Sequence, residues 1–309
     1  VSDQGTDIVA VFEKLFKEKS IHLHFNEAIS YLDKTDRGFK LISHHYTYHF
    51  DFVVLTTGGN AYRHTGSTGD GYDFAKSCGH SITTLGPSLN SFEVEENWPK
   101  ELSGLSFPNA RLEVIINGEK VTVSGPFLFT HFGISGPVTF AFSAHTAFET
   151  VSRDQPLRVH FSPDTEVSFE QWNNRLQALF VKHGAKQVGN VMTELFPKRF
   201  VEKLLLLAHV PYEQQAATIN KEQRKELSHL LSGKMTLSLI ARRAGDEFVT
   251  AGGVNTDEID RKTMQSKIWP NLYFAGEVMN VDGVTGGFNL QVAWCTGRLA
   301  GESIARMIE

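Results

Sequence analysis

The sequence predicts an α/β fold into which a mostly β domain and a small helical segment are inserted. Near each end of the chain a buried strand runs through glycines into a helix, at residues 52–80 and again at 269–309. Between them, residues 81–164 contain short β-like runs separated by Pro and Gly, and residues 166–232 repeat apolar residues at helical spacing. The predicted segments are the α/β domain at 1–80 and 257–309, the β domain at 81–165 and 236–256, and the helical insertion at 166–235.

The N-terminal part of the chain predicts a helix followed by strands. An apolar stripe along residues 8–16 indicates an amphipathic helix. Residues 21–25, IHLHF, alternate apolar and polar side chains as a strand does, and the runs AISYLD, GFKLISH and YTYHFDFVVLTTGG follow. The last run contains residues 52–57, FVVLTT, which are apolar or β-branched on both faces and therefore predict a buried strand.

Composition and charge exclude several classes of protein. The chain has 309 residues, is 41% hydrophobic and carries a net charge of -5, with acids and bases interspersed. This predicts a globular protein of about two domains with no nucleic-acid partner, because no basic stripe is present to neutralise phosphates. The longest apolar run, at 204–208, is too short to span a bilayer, so we expect no membrane partner and a cytoplasmic location.

Glycines cluster where both predicted strands run into helices. After the strand in NLYFA come Gly276, Gly283, Gly286 and Gly287, and a helical period follows. A helix N-terminus presents unpaired N–H groups and a partial positive charge, and glycine lets a phosphate or a flat ring approach the backbone closely. The alternative is that these glycines only form a tight helix entry. The second cluster, TTGG followed by TGDG, repeats the arrangement and suggests that both strand ends face one extended ligand.

Four segments resemble a known family of flavoproteins. TTGGNAYRHTGSTGDGYDFAKSCGH, LFTHFGISGP, TAGGVNTDEIDRKTMQSK and LYFAGEVMNVDGVTGGFNLQVAWCTGRLAG are similar to the BaiN/YhiN-type flavoproteins, which are often described as aminoacetone-oxidase-family or NAD(P)/FAD-dependent oxidoreductases. The resemblance covers essentially the whole chain in order. It implies a Rossmann-like FAD-binding domain split in sequence, a β domain, a helical insertion, and a redox reaction on a small organic substrate. Whether NAD(P)H is a second partner is left open by the resemblance.

The resemblance also implies which residues contact the cofactor. The glycines and neighbouring side chains at the two strand ends would bind FAD, with Glu277 at the ribityl or pyrophosphate portion and the helix start at the flavin. A helix N-terminus near 288–290 would stabilise the negative charge of the reduced ring. The residues implied in cofactor binding are Thr57, Gly58, Gly59, Gly276, Glu277, Gly286, Gly287, Phe288, Asn289 and Leu290.

The sequence departs from the family pattern at its beginning. The related flavoproteins open with a βαβ unit that carries GxGxxG and holds the FAD pyrophosphate, and this motif does not occur here. We therefore expect an incomplete FAD-binding domain, a truncated oxidoreductase, and no FAD retained by this chain on its own. Surface exposed by the truncation would be covered by rearrangement or by a second copy of the chain. The alternative function is a non-catalytic scaffold or remnant of the flavoprotein fold.

Other polar residues are weaker candidates. His131, in THFGISGP, could supply a proton to substrate, although a histidine at a strand end is more often structural. His22 and His24 share a strand face but lack a third metal ligand, so no metal site is predicted. Arg242 and Arg243 could bind a substrate carboxylate. Cys295 is expected in the core. Cys78 lies far from it in sequence and neither cysteine belongs to a CxxC pair, so no disulfide or zinc site is predicted.

Overall fold

A computed structural model describes residues 4–245 and 247–309 of the chain. The chain divides into two compact units between Val53 and Val54. The resemblance-based fold class, a Rossmann-type α/β fold with an inserted β domain, is confirmed. The inserted β domain is a closed barrel, which the short β-like runs did not specify.

The first unit contains one helix and a three-stranded antiparallel sheet. Its elements are α1 (Gly5–Glu18), β1 (Ile29–Thr35), β2 (Gly38–Ser43) and β3 (Thr47–Phe50), with the strand order β1-β2-β3. The predicted strand at 21–25 is wrong, because these residues pair with no strand among those described. Ser20 and Asn26, on either side of it, have positive φ angles, so the chain turns at both ends of this segment.

A short strand at the boundary between the two units has a partner that is far away in sequence. β4 (Val53–Leu55) leads to α2 (Asp70–Ser77), and Leu55 O accepts a hydrogen bond at 3.1 Å from Ala275 N, just after β13 (Leu272–Phe274). Leu55 is buried, whereas Val54 is 36% exposed. The prediction of burial on both faces of this strand is therefore wrong, and the segment alternates between an inner and an outer face.

A six-stranded closed barrel forms most of the second unit's core. Its strands occur in the spatial order β10-β11-β6-β9-β8-β7. Their ranges are β6 (Phe92–Val94), β7 (Ser106–Ile116), β8 (Glu119–Phe129), β9 (Gly133–Ser135), β10 (Leu157–Ser162) and β11 (Met235–Arg242). Closure leaves no unpaired sheet edge, so the backbone polar groups of the strands are paired within the barrel. Phenylalanine rings fill it: Phe127 lies 4.7 Å from Phe129 and 4.6 Å from Phe161, centroid to centroid.

The helical insertion connects two neighbouring strands of the barrel. The chain leaves the barrel after β10, forms four helices, and returns as β11, which pairs with β10. Trp172 and Phe200 of these helices are buried in one continuous core with the barrel, and the Phe200 ring lies 4.9 Å from Phe107. The four helices are α5 (Phe169–Lys182), α6 (Val188–Met192), α7 (Lys198–Leu207) and α8 (Lys221–His229).

The remaining elements flank the barrel in sequence. β5 (Gly86–Ser88) pairs with β12 (Val249–Ala251), and the short α3 (Trp98–Glu101) and α4 (Pro137–His145) lie between barrel strands. The chain ends in α9 (Gly286–Ile308), a 23-residue helix with only Ala300 and Ser303 buried. Cys295 of this helix is exposed, so the expected core position is wrong. The apolar period of the sequence indicated the helix but not which of its faces would be covered.

A buried histidine connects the start of the β5 region to the segment before β13. His80 Nδ1 lies 3.1 Å from Glu258 Oε2, and its Nε2 lies 2.8 Å from Ser266 Oγ. Ser266 Oγ already accepts hydrogen bonds from the N–H groups of Ile268 and Trp269, so its own proton is directed to Nε2. This arrangement requires a neutral imidazole with the proton on Nδ1. Burial lowers the pKa of His80, and the attraction of Glu258 offsets this only in part.

We expect acid to destabilise the protein through His80. A base whose pKa is lower in the folded state binds more protons when unfolded, so its contribution is present above its ordinary pKa of 6.5 and is lost as the pH falls below it. One site contributes a slope of at most about 1.4 kcal/mol per pH unit. Urea unfolding between about pH 5 and 8 should show a larger slope in the wild type and in a His64→Gln control at an exposed histidine than in His80→Gln. The same slope in His80→Gln would contradict the assignment.

Candidate functional site

Residues from three distant parts of the second unit meet at Thr250. Glu277 Oε1 accepts a hydrogen bond from Thr250 N at 2.9 Å, and Thr250 Oγ1 accepts one from Asn60 N at 2.6 Å. The first glycine-ended strand, β12 and the turn after β13 are therefore joined by direct hydrogen bonds. We call Asn60, Thr250 and Glu277 the carboxylate cluster.

The glycines of the TTGG segment are needed for internal packing. A Cβ atom on Gly59 would lie 2.6 Å from Thr250 Oγ1 and would also collide with the Glu277 carboxylate. Gly58 has a φ of +73°, which favours glycine, and a Cβ there would meet the Ser67 side chain. From the sequence, a ligand was expected in this space. In the structure the chain's own side chains occupy it, so these glycines shape the carboxylate cluster and bring Glu277 close to the backbone.

The carboxylate cluster is electrostatically unusual. Burial raises the pKa of Glu277; the Thr250 hydrogen bonds offset part of this effect, and the nearby Asp282 adds to it. Burial also raises the pKa of Asp282, whose Oδ2 accepts a hydrogen bond from Ser88 Oγ at 3.3 Å. Burial and the Glu277 charge together raise the pKa of Tyr72 to about 12. Two partly buried carboxyl groups close together disfavour an anionic ligand here and favour groups that donate hydrogen bonds, such as hydroxyls.

Two buried polar atoms next to the cluster lack hydrogen-bond partners among the described residues. They are Thr57 Oγ1 and Asn60 Oδ1. An unsatisfied buried polar group costs about 1–3 kcal/mol, so such atoms are uncommon and often mark functional sites. Thr57 belongs to the TTGG segment and lies two residues before Gly59, which packs on Glu277.

The start of α9 is open to solvent. The helix begins at Gly286 rather than near residue 288 as predicted, and Thr285 provides no side-chain cap. A Cβ on Gly286 would meet nothing within 4 Å, and one on Gly287 would meet only Thr285 Oγ1 at 3.9 Å. The N-cap side chain therefore does not cap the first N–H groups of α9, and the two glycines that begin the helix are exposed. Such a helix start can accept an anion or the electron-rich edge of a ring.

The other predicted residues around α9 serve different purposes. Asn289 braces the preceding loop, because its Oδ1 accepts from Gly283 N at 3.0 Å and its Nδ2 donates to Gly283 O and Thr285 O at 2.9 Å. Gly276, with a φ of +76°, donates its N–H to Thr296 Oγ1 at 2.9 Å and fixes the Glu277 turn to α9. Phe288 and Leu290 are 60% and 75% exposed.

The weaker candidates lie apart from the carboxylate cluster. His131 is exposed on the turn between β8 and β9, with its ring 5.1 Å from Phe132. Arg242 is structural: its guanidinium donates to Ser143 Oγ at 3.1 Å and to Thr146 O at the end of α4, and burial lowers its pKa to about 10. The suggestion that Arg242 binds a substrate carboxylate has no support from these contacts.

The described residues were also compared with the requirements of a metal site and of a membrane span. In residues 4–245 and 247–309, no group of three or more His, Cys, Asp or Glu side chains is placed to hold a metal ion. Within the same residues, no helix combines the length and the apolar character that a membrane span requires.

Comparison with known proteins places the chain in a family. Residues 1–303 match the HI0933-like protein Rossmann domain. The chain belongs to this family. The resemblance to BaiN/YhiN-type flavoproteins is thereby confirmed, and the family together with a reductase relative supports an oxidoreductase.

Three curated relatives of this HI0933-like protein are similar to it along most of its length. A 3-dehydro-bile acid delta(4,6)-reductase of Clostridium scindens is 29% identical over 308 residues, which are 98% of this chain and 74% of the relative. The ribosomal RNA dihydrouridine synthase of Escherichia coli is 28% identical, covering 94% of this chain and 70% of the relative. The synthase of Haemophilus influenzae is also 28% identical, covering 82% of this chain and 60% of the relative.

Sequence reasoning missed several residues of the site in this HI0933-like protein. Thr250, Asn60 and Asp282 connect the predicted glycines and Glu277 to the rest of the fold, but none was proposed as a site residue. Thr250 belongs to the TAGG segment, whose likeness to TTGG was a usable signal. The contact between residues 250 and 277 joins strand β12 to the turn after β13 and has no periodicity that a sequence pattern could indicate.

Proposed function

We propose that this protein is an FAD-dependent oxidoreductase that acts on a small organic substrate. The observation that supports this most directly is the pairing of two features: a buried, hydrogen-bonded Glu277 beside a glycine-shaped turn, and an uncapped α9 N-terminus at Gly286 and Gly287. These features suit the polyol and ring portions of a flavin nucleotide. The unpartnered atoms of Thr57 and Asn60 add hydrogen-bonding capacity nearby.

The charge distribution suggests how FAD would be oriented. The resemblance implies that Glu277 binds either the ribityl or the pyrophosphate portion of FAD. Because Glu277 and Asp282 would repel a phosphate, the ribityl hydroxyls are favoured over the pyrophosphate. The α9 N-terminus would lie at the electron-rich edge of the ring, where its partial positive charge stabilises added electrons. When bound, FAD supplies reversible two-electron transfer. The protein's own residues contribute binding and orientation.

The names of the relatives suggest a reaction class. One is a delta(4,6)-reductase of 3-dehydro-bile acids and the others form dihydrouridine. Both names describe the addition of hydrogen to an unsaturated ring, and we extend this class to the present protein. Three further properties remain predictions: the use of NAD(P)H, a cytoplasmic location, and self-association through exposed surface. His131 stays a proposed proton donor.

Glu277→Ala should weaken FAD binding. If the carboxylate accepts hydrogen bonds from the cofactor, its loss should cost about 1.5–3 kcal/mol, or roughly 10- to 150-fold in affinity. The measurement is a fluorescence titration of the 309-residue chain with FAD up to millimolar concentrations, so that a weak site is also detected. Glu222→Ala, at an exposed glutamate of α8, is the control.

The outcomes separate the two functions under consideration. Equal affinity in Glu277→Ala and the wild type would remove Glu277 from the site. No saturable binding by the folded wild type at any concentration would favour the alternative, a scaffold that does not bind FAD on its own. Circular dichroism of each variant would establish that a lost signal is not caused by unfolding.

A further inference from the structure

An aromatic cleft of about 460 Å³ lies beside the carboxylate cluster and is not explained by cofactor binding. It is lined by four aromatic rings and by small residues with hydroxyl groups. The rings are Tyr62, Phe132, Phe140 and Phe248, and two of the hydroxyls belong to Ser91 and Ser135. We propose that the aromatic cleft binds a para-quinone, a flat ring with two carbonyl groups and no hydrogen-bond donor. This inference rests on the proposed function, because it names a compound class that exchanges electrons with the flavin.

The rings of the aromatic cleft lie against one another and leave apolar surface open. Phe248 lies 5.7 Å from Tyr62 and 5.1 Å from Phe140, measured between ring centroids. Tyr62 and Phe248 are 42% and 44% exposed. A flat ring that covers these faces would remove their apolar surface from water, and this favours binding.

Two hydroxyl protons in the aromatic cleft have no acceptor among the described residues. The Tyr62 hydroxyl forms no hydrogen bond with them, and burial raises the pKa of Tyr62, which therefore stays protonated. Ser91 is 6% exposed, and its Oγ lies 2.9 Å from Ser135 Oγ. The hydrogen bond between the serines uses one of their two protons and leaves the other unused. The aromatic cleft therefore offers two donors, which suit a ligand with two carbonyl oxygens.

The side chains of the aromatic cleft offer no strong acceptor in return. None of the eight residues that line it carries a carboxylate, an amide or an imidazole. A pyrimidine, an isoalloxazine or a nicotinamide presents N–H groups as well as carbonyls, and burial beside these side chains would leave the N–H groups without a good partner. A para-quinone has two acceptors and no N–H group, so its polar atoms match what the aromatic cleft provides.

One cation borders the aromatic cleft, and it is paired. The guanidinium carbon of Arg243 lies 4.6 Å from the centroid of the Phe132 ring, and Arg243 Nη1 donates a hydrogen bond to Glu93 Oε1 at 3.3 Å. Because the Glu93 carboxylate balances this positive charge, a phosphate would gain little from it. Nucleotide and RNA binding rely on cationic side chains that are free to neutralise phosphates. The charge balance therefore favours a neutral ligand.

The aromatic cleft adjoins the carboxylate cluster through two chain segments. Tyr62 follows Asn60 by two residues, and Phe248 precedes Thr250 by two residues. Two residues span at most about 7 Å, so both rings are attached close to the hydrogen bonds that hold Glu277. A para-quinone here would lie next to the region proposed for FAD. Its two carbonyl groups would become hydroxyl groups by taking two electrons and two protons from the dihydroflavin, which returns to its oxidised form.

The test measures binding of 2,3-dimethyl-1,4-naphthoquinone by equilibrium dialysis. Its methyl groups prevent the addition of cysteine thiols to the quinone ring. The matched ligand is 2,3-dimethylnaphthalene, which has the same rings but no carbonyl group. We expect saturable quinone binding that Tyr62→Phe weakens about three- to tenfold, whereas the affinity for the hydrocarbon stays unchanged.

Further variants separate ring contacts from hydrogen bonds. Replacing both serines, in Ser91→Ala/Ser135→Ala, should also weaken only the quinone. Phe248→Ala removes apolar contact and should weaken both ligands about tenfold. Tyr46→Phe, at an exposed tyrosine of the first unit, is the control and should change neither affinity.

Three results would overturn the inference. These are no saturable quinone binding by the folded chain, an equal effect of Tyr62→Phe on the quinone and the hydrocarbon, or uridine binding that is tighter than quinone binding and is lost in Phe248→Ala. FAD titrations of the same variants separate this inference from the proposed function. Phe248→Ala should keep the FAD affinity of the wild type, whereas Glu277→Ala should lose FAD affinity and keep quinone binding. Quinone binding by a chain that binds no FAD would refute the proposed function and leave the aromatic cleft assigned.

Discussion

Gly287→Val is expected to abolish FAD binding while the protein stays folded. Gly287 is exposed in the first turn of α9, and a Cβ there would meet only Thr285 Oγ1 at 3.9 Å, so the protein itself has room for a side chain. A bound flavin would not leave that room, because a valine would occupy the space through which the ring approaches the helix start. A loss of several contacts at about 1.5–3 kcal/mol each would weaken binding by orders of magnitude.

Gly301→Val provides a matched control for this experiment. Gly301 lies in the same helix, and a Cβ on it would meet nothing within 4 Å. Both substitutions change helix propensity in the same way, so a comparable effect on the unfolding midpoint is expected. FAD titration should then separate the two variants. If Gly287→Val and Gly301→Val bind FAD equally, the α9 N-terminus is not part of the cofactor site.

Gly253→Ala should destabilise the fold by about 3–5 kcal/mol, through backbone strain and overpacking together. Gly253 has a φ of +149°, and a Cβ on it would lie 2.6 Å from both Met279 C and Val278 O. These are backbone atoms of the turn that carries Glu277, and they cannot rotate away as a flexible side chain would. The same turn is tied to this loop by a hydrogen bond from Val254 N to Val278 O at 2.9 Å.

Urea unfolding of Gly253→Ala and Gly104→Ala would test this prediction. Gly104 also has a positive φ, +87°, but a Cβ on it would meet nothing within 4 Å, so its substitution reports backbone strain alone. The difference between the two variants measures the cost of close packing together with the additional backbone strain at a φ of +149°. A typical domain is stable by only about 5–15 kcal/mol, so Gly253→Ala should be near the limit of folding. Equal losses in both variants would show that the contact with residues 278–279 is not limiting.

Much of the architecture could be predicted from local pattern. The strand–glycine–helix order at 269–309, the β texture of 81–164 and the helical stripes of 166–232 each reflect a period that depends only on neighbouring residues. The same logic failed at residues 21–25, where a two-residue period indicated a strand but no strand in the part of the chain that the structure describes pairs with its backbone. The spacing of apolar residues predicts a preference for a helix or a strand. For a strand, pairing with a neighbouring strand decides whether it forms.

The sequence by itself determined that glycines end two strands, that Glu277 follows one of them, and that a helix follows the glycines after Glu277. Only the tertiary structure decided that Gly59 packs against the chain's own Thr250 and Glu277, whereas Gly287 faces open space. It also brought the rings of Phe248 and Tyr62 to within 5.7 Å of each other, centroid to centroid, although they are separated by the whole barrel in sequence. The physical reason is that the effect of a glycine's missing Cβ, or of a ring's exposed face, depends on which atoms lie opposite it. Long-range packing decides which atoms these are.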